Sequence, residues 1–417
     1  MNILHISAAG INSGAGKATF LTHEALLKIK SINSKVLFLE NHNLENQIFS
    51  VSKISRFYKF KRILSTFLDR SPLFFYKNKR NMLFSSGLFG LEFKKLDLFS
   101  WADIIHIHWS NHGLIDILDL KKWGKPVVWT LRDMWLFTGG CHYSLSCNKY
   151  INNCNQCHIL NSKTKFDLST YCFNRKKRIL SNTKINLVAI STWIQKKANE
   201  SLILNGYKSE LIYSGIRTDI FSPILQTKAR LELGIPLDSK VILIGSTSLT
   251  DEYKGANYIK SILEFLDDEI VLLTFGNANG FDVNNNKIKI INLGYISNDI
   301  LLSKIYSCAN MFFAPSINEA FGKTLAEAQS CGIPVLCFSE TGPADIVEHL
   351  ITGYTAKFND YLDLQNGLKF CLNNIFDSHY IRERTIKLFD INISAKYYSE
   401  LYIKIHSDSI SNIKLNE

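Results

Sequence analysis

Short apolar runs of strand length recur along this 417-residue chain, and stretches with helical spacing separate them. In the first half, Ile3–Ser7 reads as a strand, Gly10–Gly16 as a glycine loop, Thr19–Lys30 as a helix and Lys35–Glu40 as a second strand. Further strands are legible at Ile104–His108, Val127–Leu131 and Asn186–Ile190. The second half repeats the order, with strands Val241–Gly245, Ile270–Phe275, Lys289–Leu293 and Met311–Pro315, helices near Tyr258–Leu266 and Asp299–Ser307, then a helix and a strand through Phe338. Consecutive parallel strands need a crossover, which a helix supplies, so this alternation predicts doubly wound α/β sheets. The length exceeds the ~250–300 residues at which one core stops growing, so two domains are expected. Periodicity breaks between Tyr213 and Pro223, and the hinge is placed near Gly215. The expected division is residues 1–212, with a cysteine-rich insertion at 141–158, residues 213–395, and a C-terminal helix 396–417 that packs back on the first domain.

Hydrophobic residues make up 46 % of the chain and charged residues 20 %, with seven prolines, the profile of a globular protein. The N-terminus reads as a strand rather than a signal peptide, and no apolar run approaches the ~20 residues that span a bilayer. A cytoplasmic protein is expected, with the inner face of the cytoplasmic membrane as a place of contact. The net charge of +11 calls for an anionic partner. Between Lys53 and Arg80 run Arg56, Lys59, Lys61, Arg62, Arg70, Lys77 and Lys79 against the lone acid Asp69, interleaved with Phe57, Phe60, Ile63, Phe67, Phe74 and Phe75. Residues 53–80 therefore read either as a basic amphipathic element for anionic lipid or as a solvated helix over the first domain. No RNA-binding module surrounds the stretch, and nucleic acid is not expected as a partner.

The segment from Pro315 to Pro334 carries the most chemistry. Glu319 lies in the loop after an apolar strand, and Phe321, Gly322, Lys323 and Thr324 open a helix whose free amides and dipole suit a diphosphate. Glu327 falls eight residues after Glu319, so a loop carboxylate and a helix carboxylate can face one ligand. Here the chain resembles glycosyltransferase family 4, whose signature is two glutamates separated by seven residues, with Phe-Gly after the first and Ala after the second. The resemblance implies the GT-B fold, in which two Rossmann-like domains face a central cleft. It implies that Glu319 contacts the donor sugar or its phosphate, that Glu327 binds the ribose hydroxyls, that the Phe321–Thr324 amides hold the phosphates, and that Ala320 belongs to the same donor-binding set. Lys254, in Thr250-Asp-Glu-Tyr-Lys-Gly255, matches the family's Lys-Gly pair that neutralises the donor diphosphate. Many relatives carry an Arg shortly before that Lys; this chain has Ser246, Thr247 and Ser248 there. Tyr295 and Ile296 resemble the base-contacting segment.

In the first half, Ser13-Gly-Ala-Gly-Lys17 looks like a phosphate loop, but Ile11 and Ala18 replace the first Gly and the hydroxyl of a Walker motif, so an ATPase is excluded. The resemblance places Gly14, Gly16 and Lys17 near the donor phosphates or the acceptor. The runs Trp101–Trp109 and Trp129–Tyr143 resemble the subgroup that builds bacterial exopolysaccharide, capsule or O-antigen. His108, Arg132 and Asp133, at the carboxyl ends of strands, are the acceptor-side candidates, with Asp133 also a candidate catalytic group. His106 reads equally as a core histidine. Cys141, Cys147, Cys154 and Cys157, flanked by His142 and His158, suit a structural zinc, disulfides or packing thiols.

The expected activity is retaining transfer of a hexose-type sugar from a UDP- or GDP-sugar to a growing glycan or polyprenyl-linked acceptor, with no catalytic metal. Its rivals are a non-hydrolysing nucleotide-sugar epimerase and a catalytically silent glycan- or membrane-binding partner.

Overall fold

The computed structural model describes residues 1–40, 47–264 and 266–414. The chain forms two compact units, residues 1–215 with the chain from Ser394 onward, and residues 216–393. Both boundaries lie within three residues of the expected ones, and the last three residues of the expected C-terminal segment are outside the described residues.

The first unit holds a parallel sheet of order β3-β2-β1-β4-β5-β6-β7. Its strands are β1 (Asn2–Ser7), β2 (Asn33–Phe38), β3 (Ile48–Ser50), β4 (Ile104–Trp109), β5 (Val127–Leu131), β6 (Asn186–Ala189) and β7 (Ser209–Leu211). The central strands are buried along almost their whole length because helices cover both faces of a parallel sheet, which is why they read as continuous apolar runs. Among the polar interruptions are His5, His106 and His108, which the register sets side by side on β1 and β4.

The second unit holds a parallel sheet of order β10-β9-β8-β11-β12-β13. Its strands are β8 (Lys240–Ser248), β9 (Ile270–Asn277), β10 (Ile288–Asn292), β11 (Met311–Phe313), β12 (Val335–Phe338) and β13 (Gly353–Ala356). Ile242, Ile244, Leu272, Phe313 and Leu336 from these strands pack against Ile262, Leu263 and Leu368 from the covering helices. In each sheet the order reverses beside the first strand, and that crevice at the carboxyl ends is where such sheets bind ligands.

Two helix starts beside the candidate site residues differ from expectation. The first helix spans Gly14–Leu27 and begins five residues early, because the Ser13 hydroxyl accepts from Gly16 N at 3.1 Å and caps it. Gly14, Gly16 and Lys17 therefore sit in a helical turn and not in an open loop. The helix after β11 spans Lys323–Ser330, two residues later than Phe321, with Gly322 as its N-cap at φ +95°.

Candidate functional site

In the second unit, the short turn Glu252–Lys254 follows β8, and the loop carrying Glu319 follows β11. Two backbone bonds stitch them together: Ile317 N and Asn318 N donate to Tyr253 O at 2.9 and 3.2 Å. Gly255 makes the approach possible. It holds φ +80°, and a Cβ there would lie 2.0 Å from Pro315 O, so any other residue would push the loops apart. The result is an ion pair between Lys254 Nζ and Glu319 Oε2, with side chains 23 % and 17 % exposed. The pair lines a small cavity with Gly245, Ser246, Ser316 and Thr324, and Lys254 is the one cation among the described lining residues. Ser246 thus occupies the wall of the cavity, in the region where the resemblance leads to the expectation of an arginine.

The loop is held from its other side by Gly342 N, which donates to Glu319 O at 2.9 Å. Gly342 has no room for a side chain, since a Cβ would meet Ala320 O at 2.3 Å. Ala320 and Phe321 are both buried, the Phe321 ring standing edge-on to Phe389 at 5.5 Å, so they can offer a ligand their backbone only. Glu327 is also buried; its Oε2 accepts from Tyr306 OH at 3.1 Å, and Lys323 Nζ stands 3.5 Å from Oε1. Burial and then the Glu327 carboxylate push the Tyr306 hydroxyl well above its ordinary range, which keeps it a donor. Tyr295 is exposed and Ile296 half-buried on the loop after β10, and neither belongs to the lining of this cavity.

In the first unit, Gly16 is required for packing: a Cβ there would lie 1.9 Å from Gly10 O, whereas Gly14 has open space around it. Asp133 is not a free base. Its Oδ1 accepts from Trp135 N at 2.8 Å, and its Oδ2 accepts from Trp109 Nε1 at 2.8 Å and meets His142 Nδ1 at 2.6 Å. Burial pushes the carboxyl up, but His142 and these hydrogen bonds outweigh it and hold Asp133 below its usual value. His142 Nε2 lies 3.0 Å from Ser85 Oγ, which completes an Asp133-His142-Ser85 line.

Beside it lies a buried histidine network. Arg132 donates to Ser214 Oγ at 2.8 Å and to His108 Nδ1 at 3.0 Å. Because a guanidinium only donates, His108 Nδ1 must accept, so a neutral His108 carries its proton on Nε2 and gives it to His5 Nδ1 at 2.9 Å. His106 contacts Tyr402 OH at 2.6 Å and Thr130 Oγ1 at 2.7 Å. The nitrogens of His5, His106 and His108 lie within 4.8 Å of one another, the one such trio of ligand atoms among the described residues. Yet both nitrogens of His106 are engaged and a guanidinium touches His108, so the donor set fits a neutral hydrogen-bond network and not a cation.

No three of the sulfurs of Cys141, Cys147, Cys154 and Cys157 come within that distance of one another. All are free thiols. Cys141 and Cys157 pack with Phe84, Ile159 and Leu160, burial pushes the Cys141 thiol up to about 12, and Cys154 Sγ accepts from Gly139 N at 3.2 Å.

Residues 232–388 match the family model described as Glycosyl transferases group 1. The second unit is a group 1 glycosyl transferase domain. The chain is 23 % identical over 302 residues to D-inositol 3-phosphate glycosyltransferase of Xylanimonas cellulosilytica, covering 67 % of this chain and 65 % of that one. It is 21 % identical over 262 residues to the putative colanic acid biosynthesis glycosyl transferase WcaC of Escherichia coli, covering 59 % and 60 %. The chain thus spans just under two thirds of the length of these curated relatives. The crystal structure of HepE from Anabaena with UDP and glucose superposes with a TM-score of 0.64 at 15 % identity, covering 97 % of this chain and 100 % of that one. The fold is GT-B.

Within the transferase domain, Glu319, Lys254 and Thr324 of the expected donor set meet in one cavity, and Glu327 lies on the same helix as Thr324 but faces Tyr306. Sequence reasoning missed Tyr306 and Gly342, which lie 21 and 15 residues from Glu327 and leave no local signal. It also missed Tyr398 and Tyr402, whose i, i+4 spacing was a readable sign of one helix face.

Proposed function

We propose that this chain is a retaining glycosyltransferase that moves a hexose-type sugar from a UDP- or GDP-sugar to a growing glycan or polyprenyl-linked acceptor at the inner face of a bacterial membrane. The Lys254–Glu319 pair carries the proposal. Glu319 is the counter-ion of Lys254. A nucleoside diphosphate reaching the Lys323–Ser330 helix would supply that negative charge itself, freeing Glu319 to accept from a sugar hydroxyl. As the bond from the anomeric carbon to the diphosphate oxygen breaks, the Lys254 ammonium and the first-turn amides stabilise the charge left on the phosphate. The acceptor hydroxyl attacks on the face from which the diphosphate leaves and gives its proton to a phosphate oxygen. No metal ion is assigned a role, because these groups bring the positive charge. Glu327, oriented by Tyr306, would hold the ribose. The HepE complex with UDP and glucose supports the donor class, and the name of WcaC supports a surface polysaccharide as product.

The test is turnover of candidate nucleotide sugars with polyprenyl-linked and glycan acceptors. Glu319→Ala should lower kcat by ~10²-fold or more, for an interaction made chiefly in the transition state. Undiminished turnover in that variant would sink the assignment. Consumption of donor without any acceptor would instead favour the epimerase chemistry.

A further inference from the structure

We propose that the helix Arg56–Arg70 and the turn after it are a docking face for an anionic lipid bilayer. The helix is mounted with its polar side inward. Its buried residues are Ser65 and Asp69. Ser65 Oγ donates to Gly113 O at 2.7 Å and Thr66 Oγ1 to His112 O at 2.8 Å, while Asp69 Oδ1 accepts from Ser86 Oγ at 2.6 Å and Leu88 N at 3.1 Å. The backbones touch closely, since a Cβ on Gly113 would meet the Ser65 carbonyl at 2.5 Å. Hydrogen bonds hold the helix down, and its apolar side is left facing solvent.

That side is continuous. Phe57, Phe60, Ile63, Leu64 and Phe67 are 44–64 % exposed, and in the following turn Ser71–Phe75 the rings of Phe74 and Phe75 are 64 % and 88 % exposed. Phe67 and Phe74 join the two parts, with ring centroids 6.1 Å apart. A surface helix ordinarily points such a stripe at the core, and a contiguous exposed patch of this kind marks a binding face.

The charge names the occupant. Arg56, Lys59, Arg70, Lys77, Lys79 and Arg80 are exposed around the stripe. Asp69, the lone acid between Lys53 and Arg80, is turned inward, so no negative charge within that stretch reaches the surface. Lys61 and Arg62 are paired to Glu92 and Glu40. Aromatic rings backed by lysine and arginine are the complement of an acyl boundary under anionic headgroups. Among the described residues no helix is long and apolar enough to cross a membrane, so the contact lies in the plane of the interface.

This inference goes beyond sugar transfer and is tested without donor or turnover, so the two readings fail separately. The full chain is sedimented with phosphatidylcholine vesicles lacking or containing phosphatidylglycerol. Partition should be at least ~10-fold greater onto the anionic vesicles and fall as salt is raised. The F60S/F67S/F75S variant should lose ~10-fold in partition with its melting temperature kept, and Phe75→Ser alone, at the most exposed ring, should lose part of it. Equal partition of wild type and variants overturns the proposal. So does a wild-type dimer that the triple variant dissolves, which would make the face a self-contact.

Discussion

Arg132 sets the proton positions of the histidines around it, and those histidines carry a pH dependence. His5, His106 and His108 are held well below the ordinary histidine value, first by burial and then by neighbouring histidines and the Arg132 charge. A base whose pKa is lower folded than unfolded binds its proton only on unfolding when the pH drops between the two values. Its stabilising share is therefore whole above about pH 6.5 and declines below it, by roughly 1.4 kcal/mol per pH unit for each histidine. The melting temperature should fall steeply between about pH 7 and about pH 5.5, and a flat profile would mean that the network is already protonated or open to water. Asp133 acts elsewhere on the scale: its depressed carboxyl contributes above an unfolded value near ~3.9 and loses that contribution only in stronger acid. The acidic and basic candidates of the transferase domain were legible one by one, since each lies in a local motif. That Asp133 is saturated with donors was not, because His142 and Trp109 reach it from 9 and 24 residues away.

The helix Arg56–Arg70 reverses the usual cost of substitution. Asp69→Ala removes the acceptor of Leu88 N in a buried place and should cost about 1–3 kcal/mol of stability. Phe60→Ser, at a ring 64 % exposed, should stay within about 0.5 kcal/mol. Urea unfolding of the two variants distinguishes them, and a larger loss for Phe60→Ser would mean that the apolar side is covered. Amphipathic spacing was visible in the sequence, but spacing alone does not say which side is inward; partners at Ser86, His112 and Gly113 decide that. Three-residue β3 and β7 left no periodic signal, being too short for alternation to show. The early start of the Gly14–Leu27 helix was hidden by its glycines, which suggest a loop wherever a cap is not recognised.

At the scale of the molecule, the chain from Ser394 onward belongs to the first unit. Tyr398 OH meets Thr130 Oγ1 at 3.0 Å, Tyr402 OH meets His106 Nδ1, and Ser394 Oγ donates to Tyr213 O at 2.8 Å. Tyr398 and Tyr402 are buried, so ending the chain before Ser394 opens the sheet face under them. Loss of two buried aromatics should cost several kcal/mol, at ~3–5 for each. The first unit should melt earlier, while the transferase domain keeps its stabilisation by nucleotide. Calorimetry with and without UDP or GDP reads both, and unchanged melting of the first unit would place these tyrosines outside its cooperative core.

The sequence by itself determined two parallel α/β sheets, the transferase signature at Glu319 and Glu327, and the presence of a basic amphipathic stretch. Each of these is written in residues that are neighbours along the chain, through strand length, helix caps and charge density. Tertiary structure decided which groups meet: Lys254 with Glu319 through the contact that Gly255 permits, Asp133 with His142, and the polar face of Arg56–Arg70 with the protein. These pairings depend on distances between segments that are remote in sequence, and only the packing of strands and loops fixes such distances.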